Sequence, residues 1–151
     1  MRFFGNYSGK VDAKGRAFLP AAFRKVLEAE DVRRLVLRPD TTQKCLAIYP
    51  ESVWQQLEDE LKQKLDMWNP LHVDLHRRFV NGGEMFELDA NGRFLITKKK
   101  KERAGIRQDI VFLAVNDRIE VWDKDEYDRH FNDDADLGEL IMKAMAESRQ
   151  L

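Results

Sequence analysis

Short stretches in which apolar and polar residues alternate, or in which apolar residues cluster, predict β-strands in both halves of the chain. In the first half these stretches are residues 3–11, 17–19, 33–38 and 46–49. In the second half the stretches at residues 84–88 and 118–122 open and close a similar series. The pattern therefore predicts two strand-containing halves.

Between these stretches, apolar residues recur at helical spacing. Pro20 and Pro50 suit the first turn of a helix, where a missing N–H costs no hydrogen bond. Asp123 and Glu126 have the spacing of a capping box, which predicts a helix start at Lys124. The predicted helices are residues 21–27, 50–67, 71–80, one beginning near residue 124, and 137–147.

Two of these helices carry an apolar stripe. We expect the stripe of the 50–67 helix to be buried, and its members are Trp54, Leu57, Leu61 and Leu65. The stripe of the last helix either docks on the body of the protein or contacts a neighbouring subunit, and its members are Leu140, Ile141 and Met145. After a polar gap at residues 132–136, that helix ends the chain.

One short motif occurs twice. Residues 12–16 read Asp-Ala-Lys-Gly-Arg and residues 89–93 read Asp-Ala-Asn-Gly-Arg, with apolar residues at matching offsets on both sides. The aspartate can accept hydrogen bonds from backbone N–H groups ahead of it, and Gly15 or Gly92 can adopt the left-handed conformation that closes a bulged hairpin. The chain therefore reads as two copies of one module, each with a tight, exposed turn.

Composition adds bounds on class and location. The chain has 151 residues, 43% of them hydrophobic, which is enough for a buried core in one compact unit. It has no apolar run of membrane-spanning length and no signal-peptide pattern at its start, so we expect a soluble cytoplasmic protein. Cys45 cannot form an internal disulfide, because it is the single cysteine, and we expect it to pack as a small hydrophobic residue.

Charge is unevenly distributed, although the formal net charge is only −1. Over residues 120–139 carboxylates greatly outnumber cations, so that part of the chain is acidic. Over residues 1–25 the only acidic residue is Asp12, whereas the basic residues are Arg2, Lys10, Lys14, Arg16, Arg24 and Lys25. One end of the molecule can therefore present a positive face to a polyanion.

The sequence gives little support for catalysis. His72 and His76 lie four residues apart on a predicted helix with Asp74 between them, but no third metal ligand is identifiable. No phosphate-binding glycine loop or nucleophile elbow is present. Asp12 and Asp89 each have an arginine four residues on, which favours ionised carboxylates that accept hydrogen bonds. We expect a protein that is not an enzyme and has no cofactor or metal; a metal-dependent enzyme using the two histidines is the alternative.

The duplicated motif resembles the signature of the MraZ family of bacterial transcriptional regulators, which is Asp-x-x-x-Arg in each half. The resemblance spans residues 3–131. The surrounding sequence is also similar, at Phe4-Gly5, Leu19-Pro20, Phe23-Arg24, Cys45-Leu46, Tyr49-Pro50 and residues 118–123. It implies an α+β fold in which two SpoVT-AbrB type modules form a swapped-hairpin β-barrel with short flanking helices. The implied parts are module 1 (5–52), linking helices (53–80), module 2 (81–124) and a C-terminal helical tail (125–151).

The resemblance also implies a function. It implies ring-like homo-oligomers that bind double-stranded DNA at short promoter repeats and repress a cell-division and cell-wall gene cluster that includes their own gene. A nucleoid-associated protein without membrane contact is expected. The DNA-facing positions carried over are Lys14, Arg16, Arg24, Arg93 and Lys101. Two positions depart from the first half, because Thr97 replaces Pro20 and Lys100 replaces Phe23.

Physical chemistry is compatible with these roles and leaves alternatives open. An arginine offers two donors that fit guanine O6 and N7, while lysines and backbone N–H groups suit phosphates. Arg16 and Arg93 could instead only brace their turns through Asp12 and Asp89. A ring that binds nucleic acid without sequence preference is the alternative function. Residues that pack either between subunits or within the core are Trp54, Trp122 and Phe131.

Overall fold

The computed structural model describes residues 1–132 and 136–149, and it is an α+β fold. The strands are β1 (Asn6–Lys10), β2 (Arg16–Phe18), β3 (Leu35–Pro39), β4 (Leu46–Pro50), β5 (Glu84–Phe86), β6 (Arg93–Leu95), β7 (Asp109–Val115) and β8 (Arg118–Asp123). The helices are α1 (Ala21–Ala29), α2 (Glu51–Lys64), α3 (Pro70–Asn81), α4 (Lys98–Ala104), α5 (Lys124–Phe131) and α6 (Leu137–Arg149).

The two halves exchange strands. Six strands form an antiparallel sheet in the order β1-β7-β8-β4-β3-β5. The first strand of each half therefore pairs with a strand of the other half: β1 with β7, and β5 with β3. Central pairing of β4 with β8 also joins the halves. Neither half has a complete sheet of its own.

The remaining two strands form a separate ribbon. β2 pairs with β6 in an antiparallel ladder that matches Arg16 with Leu95, Ala17 with Phe94, and Phe18 with Arg93. We call this pair the β2–β6 ribbon. The α+β class is as expected, but the closed barrel that the resemblance implies is not confirmed. Among the described residues the ladders do not join into one barrel, because β1 and β5 are the edges of the larger sheet.

The hairpin predicted between the first strand and its return exists only at its tip. The backbone N–H of Asp12 donates to the carbonyl of Arg16 at 2.8 Å, and Gly15 donates to Asp12 at 3.0 Å. Beyond this turn, β1 and β2 diverge to partners in the second half. The prediction of a tight turn is confirmed, whereas the prediction of a hairpin with paired arms is wrong, because each arm forms its ladder with a strand of the other half.

The second turn repeats this geometry. The N–H of Asp89 donates to Arg93 at 2.9 Å, and Gly92 donates to Asp89 at 2.9 Å. Gly15 has φ 85° and Gly92 has φ 82°, so the predicted left-handed glycines are confirmed. Each turn is also fastened to the other half, since Ile96 donates to the Gly15 carbonyl at 2.7 Å and Leu19 donates to the Gly92 carbonyl at 3.0 Å.

Both turn carboxylates are held by backbone donors. Oδ1 of Asp12 accepts from the N–H groups of Arg16 and Lys14, each at 2.9 Å. Oδ1 of Asp89 accepts from Arg93 and Asn91 at the same distance. These bonds favour the charged form, and the bond from the arginine N–H is the largest cause that lowers the pKa of each aspartate below its ordinary 3.8.

The core lies between the inner face of the sheet, the ribbon and α1. Strand alternation sends one side chain in two inward, and the strand residues buried there include Leu35, Leu37, Leu46, Ile48, Ile110, Phe112, Ile119 and Val121. Removing each from water contributes about 1.5–3 kcal/mol. Cys45 is also buried, as expected, and burial raises the pKa of its thiol far above the ordinary value.

A second cluster covers part of the outer face. Trp54 of α2 packs there against Tyr49, with ring centroids 5.6 Å apart, and stacks on Phe79 of α3 at 5.2 Å. Trp54 is the only member of the predicted α2 stripe that is buried. Leu57 and Leu61 are half-buried, and Leu65 lies beyond the helix end. The prediction of a fully buried stripe is wrong, because only the first turns of α2 contribute to this cluster.

The helix predictions otherwise agree with the structure, with one omission. Residues 21–27 and 71–80 lie in α1 and α3. Asp123 caps α5 by accepting from Asp125 and Glu126, so the helix start at Lys124 is confirmed. The omission is α4, where Thr97 takes the capping place of Pro20 and accepts from Lys100 at 3.4 Å.

The C-terminal stripe does not dock on the described part of the protein. Its side chains on α6 are about half exposed, and they are Leu140, Ile141 and Met145. Most of the predicted polar gap at 132–136, and the last two residues of the tail, lie outside the described residues. Trp54 and Trp122 are buried within the chain, whereas Phe131 is 48% exposed.

Replacement of the left-handed turn glycine tests the first turn. A Cβ at Gly15 would lie 2.7 Å from the Ile96 carbonyl oxygen, and the backbone there has φ 85°. Gly15→Val should lower the free energy of unfolding by about 2–4 kcal/mol, through backbone strain and crowding together. Urea denaturation measures this loss, with Ala13→Val on the exposed part of the same turn as the control. Equal stability of the two variants would contradict the turn geometry.

Acid titration tests the turn carboxylates. Because both aspartates have a lowered pKa in the folded protein, the stability they contribute is present above pH 3.8 and is lost as the pH falls through the folded pKa. The Asp12→Asn/Asp89→Asn variant should therefore lose less stability than the parent between about pH 4 and pH 2. Urea denaturation at each pH provides the measurement, and Asp59→Asn on the exposed side of α2 controls for charge. Parallel profiles would refute the assignment.

Candidate nucleic-acid interface

The outer face of the β2–β6 ribbon is a small surface on which basic and apolar side chains alternate. Ala17 and Phe94 at its centre are 1% and 4% exposed and face the core. Strand alternation sends the flanking side chains to the opposite face. These outward residues are Arg16, Phe18, Arg93 and Leu95. The ladder thus brings the motif arginines of both halves onto one face.

The register gives this face an approximate two-fold symmetry. Arg16 lies opposite Leu95, and Arg93 lies opposite Phe18. Rotation about the centre of the ribbon exchanges the two arginines and exchanges the two apolar residues. Two equivalent sites of one cation and one apolar group therefore lie side by side.

The two arginines are held differently. Nε of Arg93 donates to Oδ2 of Asp89 at 3.0 Å, and its guanidinium carbon lies 5.7 Å from the centroid of the Phe18 ring. Nε of Arg16 lies 3.5 Å from Oδ2 of Asp12 and makes no hydrogen bond within the described chain. The Arg16 side chain is 33% exposed and the Arg93 side chain 22%. Arg93 is the more firmly braced of the two, and Arg16 is freer to bind a new acceptor.

Arg24 connects the first half to the second turn. It lies in α1, but its guanidinium and Cδ are the atoms nearest to the position that a Cβ would take at Gly92. The absence of a side chain at Gly92 thus makes room for Arg24 as well as permitting the left-handed backbone. Arg24 and Arg93 come from different halves and lie at one turn.

The remaining basic candidates are two lysines, one on the first turn and one on α4. Lys14 is exposed at the tip of the first turn. Lys101 lies in the first turn of α4, where its backbone N–H donates to the carbonyl of Thr97. In α1 the backbone N–H of Arg24 donates to the carbonyl of Pro20 in the same way, so Lys101 and Arg24 have equivalent positions in their helices. Lys100, which replaces the buried Phe23, forms an ion pair with Glu84. Lys100 is therefore paired within the chain, in contrast to the apolar contact that Phe23 makes in the first half.

Two residues of this face were not among the sequence candidates. Phe18 and Leu95 follow the motif arginines by two positions, and two-residue spacing on a strand places side chains on the same face. That two-residue spacing could have identified Phe18 and Leu95 as surface residues. Each of them, however, lies in an apolar stretch whose other members are buried, and such a stretch predicts a core residue.

The histidines do not form a metal site with other described residues. His72 Nδ1 accepts from the Asp66 N–H at 2.9 Å, which makes it a local cap between α2 and α3. Within the described ranges, the one group of three possible ligands is Asp40, Cys45 and Glu120, and it contains neither His72 nor His76. Two of these ligands already have partners, since Asp40 caps its own loop and Glu120 accepts from Trp122 at 3.1 Å.

No helix in the described ranges is long and apolar enough to cross a membrane.

The family model described as MraZ protein matches residues 3–76 and 79–142, one match for each half. Its two matches meet near the end of α3, just before the second motif copy begins.

Curated relatives extend this similarity over the full length. The protein named Transcriptional regulator MraZ of Phocaeicola vulgatus is 45% identical over 151 residues, covering 100% of this chain and 98% of the relative. Its namesake in Bacteroides thetaiotaomicron is 41% identical, covering 99% and 97%. That of Bacteroides fragilis is 40% identical, covering 99% and 95%. With both motif copies at equivalent turns, these similarities show that the chain belongs to the MraZ family of transcriptional regulators.

Proposed function

We propose that this protein binds double-stranded DNA in a sequence-specific manner through the outer face of the β2–β6 ribbon. The observation that carries the proposal is the convergence of Arg16 and Arg93 on that face, each beside an exposed turn. A two-stranded ribbon fits the major groove of B-DNA, where guanine presents two acceptors to a single guanidinium. Arg16 and Arg93 are the base-contacting residues in this proposal.

Phosphate contacts complete the interface. Lys14 lies at the tip of one turn, while Arg24 lies over the other. Lys101 occupies the place in α4 that Arg24 occupies in α1. Lys14 and Arg24 lie at the turns that border the ribbon, as expected for residues that fix the register of a protein on the sugar-phosphate backbone. Lys101 joins the proposal through its equivalent helix position. Asp12 and Asp89 orient the arginines in the free protein.

A single ribbon is a small binding surface, so one subunit alone should bind weakly. Several linked subunits raise the apparent affinity by roughly 10²- to 10⁴-fold when the spacing of the sites permits simultaneous contact. We therefore include a ring-like homo-oligomer and short repeated promoter boxes in the proposal. The exposed apolar stripe of α6 is a candidate subunit contact.

The biological part of the proposal rests on the family. The relatives are named transcriptional regulators, and we propose that this chain represses a cell-division and cell-wall gene cluster that includes its own gene. It would act in the cytoplasm on nucleoid DNA, without a membrane or cofactor. The strand exchange between the halves supports a SpoVT-AbrB type of swapped architecture.

A footprint on the DNA upstream of its own coding sequence tests this directly. Protection of several short repeats of equal spacing is the expected result, and the protected box then serves as the specific duplex in the experiments below. Uniform protection, or none, would favour the alternative of a ring that binds nucleic acid without sequence preference.

Arg16→Ala should reduce discrimination between the specific duplex and a scrambled one. Loss of a bidentate guanine contact costs about 1–3 kcal/mol in specific binding, while weak binding to any duplex persists. Fluorescence anisotropy on both duplexes measures the ratio, and Lys62→Ala on α2 is the control for loss of a surface cation. If Arg16→Ala instead disrupted folding or oligomer state, the arginine would be a brace only.

Lys14→Ala should behave differently, because a phosphate contact carries no sequence information. Affinity for both duplexes should fall together, and the slope of log K against log salt should become shallower by about 0.9 for each subunit engaged. A salt series with the parent and the variant measures this slope. Identical slopes would exclude this turn as a phosphate contact.

A further inference from the structure

Half of the outward side chains on the β2–β6 ribbon are apolar. Phe18 is 57% exposed and Leu95 is 55% exposed. The residues directly before and after each of them in the chain are buried, so on the ribbon the apolar exposure is confined to these two positions. A protein that only needed to deliver two arginines would gain solubility from polar residues here.

The register places each apolar side chain next to a motif arginine of the other half. Leu95 lies opposite Arg16, and Phe18 lies opposite Arg93. Opposed Cβ atoms in an antiparallel pair are about 4.5–5.5 Å apart. Each cation and its apolar neighbour can therefore contact adjacent features of one ligand.

Spacing along each strand also matches DNA. Arg16 and Phe18 are two residues apart, as are Arg93 and Leu95, which corresponds to about 6.7 Å along a strand. Bases on one DNA strand repeat about every 3.4 Å, so this distance spans about two base-pair steps. Each strand of the ribbon thus presents a cation and an apolar group at the interval of base pairs that are about two steps apart.

We propose that Phe18 and Leu95 are specificity-determining residues that contact the C5-methyl groups of thymines beside the guanines bound by Arg93 and Arg16. The thymine methyl is the apolar group that the major groove displays, and apolar side chains recognise it. The inference rests on the proposed function, since it requires the ribbon to enter that groove. The two arginines on the same face favour DNA over a second copy of this chain, whose ribbon would bring arginines against arginines.

The two proposed methyl contacts differ in how firmly the neighbouring arginine is held. The Arg93 guanidinium carbon lies 5.7 Å from the centroid of the Phe18 ring, which ties the aromatic side chain to a braced arginine. Leu95 has the less restrained Arg16 as its neighbour. We therefore expect Phe18 to discriminate between thymine and deoxyuridine more strongly than Leu95.

Thymine-to-deoxyuridine replacement tests the proposal by deleting one methyl group at a time. The probe is the footprinted duplex with each thymine of one box replaced singly. At a contacted thymine, affinity of the parent protein should fall about four-fold, which is the value of one buried methyl group. Phe18→Ala should abolish that penalty at one thymine and Leu95→Ala at another, whereas Leu75→Ala, an equally exposed leucine on α3, should abolish neither.

The outcomes separate this inference from the function on which it rests. If deoxyuridine has no effect at any position, or the same effect in Phe18→Ala as in the parent, while Arg16→Ala still reduces discrimination, the methyl contacts are wrong and DNA reading by the ribbon stands. If Arg16→Ala also leaves discrimination unchanged, the proposed function fails. A lower oligomer mass of Phe18→Ala in light scattering, with unchanged DNA affinity, would assign the ribbon to contact between copies and overturn the inference.

Discussion

The structure depends on backbone pairing between the two halves at the glycine turns. The carbonyl of Gly15 accepts from Ile96, and the carbonyl of Gly92 accepts from Leu19, so each turn is the anchor of a strand from the opposite half. Without these bonds the ribbon would have no fixed register, because its ladder contains only three residue pairs. The burial of Ala17 and Phe94, the alignment of the arginines and the place of Arg24 over Gly92 all follow from that register.

Local features of the fold were predictable from the sequence, whereas strand partners were not. The turns at Gly15 and Gly92, the cap at Asp123 and the helices after Pro20 and Pro50 depend on a few neighbouring residues, and the structure has them where the pattern placed them. Pairing is different, because apolar alternation says which face of a strand is buried and not which strand lies beside it. The hairpin arms were therefore assigned to the nearest partner in sequence, and the structure gives β1 to β7 instead.

The candidate site also has a part that local sequence predicts and a part that depends on strand pairing. The motif arginines and their aspartates stood out because they repeat, but the apolar half of the ribbon face became visible only through its register. Helix α4 was missed because its first turn is a run of lysines, which is unfavourable at the positive end of a helix dipole. The signals that compensate were a capping threonine before the run and Gly105 after it, in the left-handed conformation that ends helices.

Strand exchange has a consequence for how the protein is made. Asn6 pairs with Leu113, so the first strand to leave the ribosome finds its partner about a hundred residues later. Pairings of such long sequence separation are slow to form, because loop closure precedes any stabilising contact. The nascent N-terminal half therefore carries unsatisfied strand edges until translation is nearly complete. During that interval β1 can pair with the same segment of another nascent chain, and this makes polysome density a determinant of folding yield.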